Sequence, residues 1–156
     1  MESRFFVEKF WRWLQWQSWN LYGGEIELTG DLRWVAGTKG PHRRVRMIGI
    51  NCAPNTYVWI THELGRVASE FTEAELKDRK FWLEYDVSGT DRFGRDLAYV
   101  WVSSPDVMIG ETLQGRLLLR GLAVTARTPP DVRYSRFFSS FERQARDERA
   151  GIWGFE

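Results

Sequence analysis

The chain has 156 residues, 43% of them hydrophobic and 28% charged, which suits one globular domain with a real core and excludes a disordered chain. A formal net charge of +1 argues against a broad basic footprint for nucleic acid and leaves room only for a local basic site. The single cysteine, Cys52, excludes an intramolecular disulfide and a multi-cysteine metal site.

Residues 3–20 read as an amphipathic helix capped by Ser3. Phe6, Phe10, Trp13 and Leu14 fall at helical spacing, and Phe5, Trp11 and Trp16 widen the apolar surface beyond one stripe. Five of the nine tryptophans, Trp11, Trp13, Trp16, Trp19 and Trp34, cluster near this end. Such a helix wants partners on more than one side: its own domain, another protein subunit, or a membrane surface. It is too polar to read as a secretory signal, because Glu8, Lys9 and Arg12 interrupt the apolar stretch. No apolar run reaches the length of a transmembrane segment. We therefore expect an intracellular protein, and the basic, aromatic start is in keeping with an organelle such as the mitochondrion. Gly23 and Gly24 end the helix, so residues 1–22 form an appended element and residues 23–156 the domain.

Strand signals follow at 25–29 and 32–36, with a hairpin loop at 37–41. A third strand covers 44–50, where Val45, Met47 and Gly49 face away from Arg46 and Ile48. Residues 51–62 read as a loop. A helix is expected over 63–79, with Leu64, Val67, Ala68, Phe71 and Leu76 as its buried stripe. Strands at 81–87 and 97–102 flank a Gly- and Asp-rich turn at 88–95. A helix over 107–120 ends at Gly121, a short extended piece covers 122–125, and Thr128, Pro129 and Pro130 stiffen the next loop. A charged helix over 132–150 closes at Gly151, and Ile152 and Trp153 pack back. These elements define an α+β fold: a five-stranded OB-type β-barrel with inserted and appended helices, plus the extra N-terminal amphipathic helix.

Five strings in order resemble the staphylococcal-nuclease (thermonuclease) family. Val45-Arg46-Met47-Ile48-Gly49-Ile50-Asn51-Cys52-Ala53-Pro54 is similar to its V-R-L-I-G-I-D-T-P-E strand and loop. Gly65-Arg66-Val67-Ala68-Ser69-Glu70-Phe71 resembles its G-K-E-A-S-E-F helix start. Asp91-Arg92-Phe93-Gly94-Arg95-Asp96-Leu97-Ala98-Tyr99-Val100 resembles D-K-Y-G-R-x-L-A-Y-V. Gly121-Leu122-Ala123 and the closing Ala145 to Gly151-Ile152-Trp153 complete the series. Each string alone is weak, but their agreement in order over most of the chain is strong. The aromatic N-terminal helix lies outside the resemblance.

The resemblance implies calcium-assisted cleavage of DNA and RNA phosphodiesters. Carboxylate oxygens hold the cation, a carboxylate activates water, and two arginines neutralise charge on the phosphate. Asp31 matches a calcium ligand, allowing one inserted residue in the hairpin that follows. Arg46 and Arg95 match the two phosphate arginines. The second calcium carboxylate is replaced by Asn51, whose amide offers an oxygen without charge. Cys52 keeps a main-chain carbonyl where the family has threonine. Pro54 stands in the place of the catalytic glutamate and cannot act as a base; Glu63 and Glu70 are the nearest carboxylates that could substitute. Phe93 replaces a stacking tyrosine, and Arg127 and Pro129 replace two more. No cofactor is expected, and any residual calcium binding is expected to be weak.

Each retained residue also has a plainer role. Asp31 can cap its turn. Arg46 and Arg95 can pair with Asp31, Asp91 or Asp96. His42, Arg43 and Arg44 can form a solvated hairpin, and Cys52 can be an ordinary loop residue. Three functions follow. The favoured one is a catalytically degenerate nuclease-like domain acting as a binding or structural subunit, leaning away from an enzyme, with Phe6, Phe10, Trp11, Trp13, Trp16 and Trp19 facing a protein partner. The second is a calcium-dependent nuclease on single-stranded DNA or RNA. The third is a non-cleaving nucleic-acid-binding module using Arg43, Arg44, Arg46, Phe93 and Arg95. Contact of the N-terminal helix with a membrane surface is a fourth.

Overall fold

The computed structural model describes residues 25–29, 42–52, 58–76, 81–102 and 108–155. The aromatic N-terminal helix, the strand expected at 32–36 and its hairpin, Asp31 and Pro54 lie outside the described residues. Strand β1 (Glu25–Thr29) runs antiparallel to β2 (His42–Met47), with Glu25 opposite Arg46 and Thr29 opposite His42. β3 (Ile50–Cys52) follows β2 directly. Helix α1 (Val58–Leu76) leads to the β4–β5 pair (Trp82–Thr90 and Asp96–Trp101). Helix α2 (Leu113–Leu119), strand β6 (Ala123–Thr125) and helix α3 (Ser135–Asp147) complete the chain order.

The expected α+β class is present. Among the described residues the strands form two ladders, a four-stranded sheet in the order β1-β2-β5-β4 and a two-stranded β3-β6 pair. No closed five-stranded cylinder is seen among them. β2 and β3 are one run of chain that changes sheet at Ile48 and Gly49, as strands do at the corners of packed sheets. Gly49 takes φ +86°, and a Cβ there would sit 2.8 Å from the Phe138 ring. Only glycine allows both the turn and the approach of α3.

The core gathers Val45, Met47, Leu83, Tyr99, Trp101, Leu117 and Phe138, all nearly inaccessible. The stripe expected on the helix after β3 is borne out. Ala68 and Leu76 are buried, and Leu64, Val67 and Phe71 pack against the core. That helix starts earlier than its pattern predicts, at Val58, so the expected 51–62 loop is shortened at both ends: Asn51 and Cys52 belong to β3.

Three more boundaries differ for identifiable reasons. β4 runs on to Thr90 through a bulge between Tyr85 and Thr90, because the Asp131 carboxylate accepts from Ser88 N–H (2.9 Å) and Ser88 Oγ (2.6 Å). The turn therefore shrinks to 91–95. The helix expected over 107–120 is split. A 3-10 turn covers Ile109–Glu111, Thr112 is extended, and its Oγ1 accepts from Gly115 N–H at 2.9 Å to cap α2. The last helix is shorter than 132–150, since the chain around Pro129-Pro130 and Asp131 is still turning, with Asp131 N–H bonded to Thr128 O at 2.9 Å. After it, Ile152 N–H donates to Gly121 O at 3.0 Å, which is the expected packing back of the end of the domain.

Gln114 is fully buried where β2 leaves β5. Its amide donates to Ala98 O (3.0 Å) and Ile48 O (3.3 Å) and accepts from Val100 N–H (3.1 Å). Gln114→Leu fills the space but strands the buried Val100 N–H and Ile48 O and leaves Ala98 O with the Ile48 N–H alone, so it should cost about 3 kcal/mol. Urea unfolding followed by tryptophan fluorescence checks this, and an unchanged midpoint would refute the clamp.

Candidate functional site

The site grows from the parallel pairing of β2 with β5, which sets Val45 beside Asp96, Arg46 beside Leu97 and Met47 beside Ala98. Val45 and Met47 point into the core, so the strand's alternation turns Arg44 and Arg46 to the opposite face. That face meets the turn of residues 91–95, which leads into β5.

Asp91 builds the turn. One carboxylate oxygen accepts from Phe93 N–H (2.9 Å) and Arg95 N–H (3.0 Å), and the other from Arg95 Nε (2.6 Å). Gly94, at φ +76°, closes it by donating to Asp91 O at 3.1 Å. Partial burial works to raise the Asp91 pKa, but the hydrogen bonds from Arg95 and Phe93 and the Arg95 charge outweigh it, holding the carboxyl below its ordinary value.

Arg44 donates from Nη2 to Phe93 O at 3.2 Å, tying β2 to the tip of this turn. The Phe93 ring is 57% exposed. Arg92 lies 4.8 Å and Arg95 5.3 Å from its centroid, both within cation–π reach. Arg44, Phe93 and Arg95, singled out separately by sequence, thus form one guanidinium–phenyl cluster. Arg95 takes the ion pair with Asp91 that sequence offered as its plainer role. The side chain of Arg43 is outside the description; its backbone lies in β2 opposite Leu28.

Arg46 is turned to the other end of the strand. Its Nη2 donates to Asn51 Oδ1 and its Nη1 to Met47 O at 3.4 Å. Of the two positions matched to calcium ligands, Asp31 lies outside the described residues and Asn51 has its amide oxygen engaged by a guanidinium. Among the described residues no three His, Cys, Asp or Glu side chains gather as a cation site. Glu63 and Glu70, the carboxylates that sequence offered as substitutes for a base at position 54, are both held by Arg66 on the surface of α1, Glu63 at 2.5 Å. Cys52 is a buried residue of β3, not a loop thiol.

Two contributors were not singled out as site residues by sequence. Asp91 entered only as a partner for arginine; its position four residues before Arg95 is the signal for its role. Arg92 is a second cation on Phe93, legible only once the turn is formed.

With this geometry in place, comparison with known proteins gives the class. Residues 44–154 match the model of the staphylococcal nuclease homologue family. The chain belongs to that family. It is 33% identical over 118 residues to the thermonuclease of Staphylococcus intermedius and 34% identical over 123 residues to that of Staphylococcus hyicus. These alignments take in 73% and 76% of this chain but 65% and 68% of the two thermonucleases. A prophage-derived endonuclease of Bacillus subtilis is 34% identical over 91 residues, or 57% of this chain and 29% of that protein. No helix among the described residues is long and apolar enough to cross a membrane.

The lowered Asp91 pKa fixes the sign of a pH effect. Ionised Asp91 stabilises the fold fully above the ordinary carboxylate value of about 3.9, and that contribution is lost as the pH falls through it toward the lower folded-state value. The stability gap between wild type and Asp91→Asn should therefore be constant at neutral pH and narrow in acid. Chemical unfolding across the acid range measures it, and a gap that persists undiminished at low pH would contradict the assignment.

Proposed function

We propose that this chain is a catalytically degenerate nuclease-family domain that serves as a binding or structural subunit of a larger assembly. The hydrogen bond from Arg46 to Asn51 carries this reading. Calcium needs hard, preferably charged oxygens. Here the neutral amide oxygen at the matched position accepts from a guanidinium, and a bound cation would share that oxygen with the donor and face its charge. Pro54, at the place of the general base, has no titratable group. An uncharged, guanidinium-bonded Asn51 is a poor ligand for the calcium that the family uses, and no hydrolytic step is derived through it.

The same arginine surface favours a second reading, a non-cleaving module for single-stranded nucleic acid. An exposed Phe93 flanked by Arg92 and Arg95 offers a stacking face beside cationic donors. Stacking on an aromatic ring is tolerant of sequence, and adjacent guanidinium groups suit phosphate oxygens. We read the fold behind both as the family's OB-type barrel. In the structural reading, the aromatic helix of residues 1–22 is the element that docks on other subunits, with a membrane surface as the competing contact.

One experiment separates the readings. Purified chain is incubated with labelled single-stranded DNA and RNA in calcium, magnesium or manganese, beside an Arg46→Ala/Arg95→Ala variant. We expect no cleavage by either; metal-dependent cleavage by wild type that the variant lacks would overturn the degenerate assignment. Binding of the same oligonucleotides that weakens with salt and with the variant supports the second reading, and a flat titration at low salt removes it. For the assembly role, light scattering should show self-association or a copurifying partner that deletion of residues 1–22 abolishes; a monomer of unchanged size, with vesicle binding lost on deletion, would point to the membrane instead.

A further inference from the structure

The proposed function leaves one cavity unused. It lies where the β2–β3 bend, the segment after β6 and the first turns of α3 converge, and it encloses about 280 Å³. None of Arg44, Arg46, Phe93 or Arg95 lines it. Its floor is largely apolar, made by Ile48, Gly49, Tyr99 and Phe138.

The rim has a different character. Arg127 reaches it from the segment after β6 and Arg136 from α3, two exposed guanidinium groups on separate elements. Among the described residues neither has a carboxylate within ion-pair distance or a side-chain hydrogen-bond acceptor, whereas Arg66, Arg95, Arg116, Arg133 and Arg146 are all paired. Ser135 and Ser139, one turn apart on the same face of α3, add two hydroxyls that also lack a partner there.

The remaining polar groups around the cavity are already committed. Tyr99 OH donates to Asp86 Oδ2 at 2.8 Å. Thr125 donates from N–H (2.6 Å) and Oγ1 (3.0 Å) to Glu142. The one carboxylate in the lining, Asp131, is buried and turned to Ser88 through both oxygens. The groups left over are therefore two guanidiniums, which only donate, and two hydroxyls, which can donate, set over an apolar floor. Paired guanidiniums with neighbouring hydroxyls match a tetrahedral anion that presents several oxygens, better than they match a planar carboxylate. The volume is just under the roughly 300–1,000 Å³ of sites for drug-sized ligands, so the body carrying the anion must be compact.

We propose that this cavity is a binding site for a small phosphate monoester, its phosphate held by Arg127, Arg136, Ser135 and Ser139 and its organic part on Ile48, Tyr99 and Phe138. The site is independent of the Arg44–Phe93–Arg95 surface and of whether the chain cleaves nucleic acid. The phosphate could come from a free metabolite-sized ester or from the phosphorylated end of a strand, which share this chemistry.

Isothermal titration of the full chain tests it, using inorganic phosphate, ribose 5-phosphate, adenosine 5′-monophosphate, unphosphorylated adenosine, and a trinucleotide with or without a 5′-phosphate. The monoesters should bind and adenosine should not. Arg127→Gln/Arg136→Gln should weaken binding about tenfold or more, since both residues are exposed and the fold does not rest on them. Arg143→Gln, at an exposed arginine of α3 outside the lining, should leave it unchanged. Preference for the two free esters assigns the site to a metabolite, and preference for the 5′-phosphorylated trinucleotide assigns it to a strand end. The proposal is overturned if no phosphorylated ligand binds up to about 10 mM. It is equally overturned if binding of the free monoesters survives Arg127→Gln/Arg136→Gln undiminished.

Discussion

The rest of the structure depends on what happens to β2 when its parallel pairing with β5 stops. The last ladder bond is Ile48 N–H to Ala98 O at 3.0 Å, after which the chain must cross to the other sheet. A strand that turns away in the middle of a core leaves backbone groups without partners, and each buried one is costly. Gln114 resolves this from outside the sheet, with one side-chain amide serving Ile48 O, Ala98 O and Val100 N–H. A glutamine is otherwise a poor core residue; here every polar atom it brings is used. The same need explains why α2 is separate from the 3-10 turn before it. The cap at Thr112 sets the register at which Gln114 faces the sheet.

The bend this clamp protects is also what brings Arg46 and Asn51 together. They are five residues apart, too far for side chains on a straight strand, where same-face neighbours recur every second residue. The turn at Gly49 folds β3 back so that Asn51 accepts from Arg46. The identity of a single side chain then decides the electrostatics. A carboxylate at position 51 would add a charge that both an arginine and a cation could use. An amide offers its oxygen to the arginine but brings no charge for a cation.

A second arrangement anchors α3, and with it the unused cavity, to the sheet. Asp86, in the bulged part of β4, accepts from Tyr99 OH and from Arg133 N–H at 3.2 Å, and the Arg133 guanidinium lies 3.7 Å from buried Glu84. Burial, then the bond to Asp86, pushes the Tyr99 hydroxyl far above its ordinary pKa, so it acts as a fixed donor. Tyr99, Tyr134 and Phe138 meet edge to face around it, with centroids 4.6 Å apart for the first pair. The bulge, which sequence patterns read as the start of a turn, is thus a designed part of the core.

The helical stripe of Ala68 and Leu76, the alternation that buries Val45 and Met47, and the D-x-F-G-R turn were all legible in the sequence, because each is a local rule of spacing or turn chemistry. The family was legible for the same reason: its strings are local, and their order is preserved. The length of β4 was not, since Asp131, far along the chain, sets it through Ser88, and neither was the split before α2, where Thr112 is extended to bridge Trp101. That position 54 holds proline, which has no titratable side chain, is determined by sequence alone. That Asn51 is spoken for by Arg46, that Arg44 joins Phe93, and that Arg127 and Arg136 face one cavity were decided only by the tertiary structure, because side chains many residues apart become neighbours only after the backbone has turned.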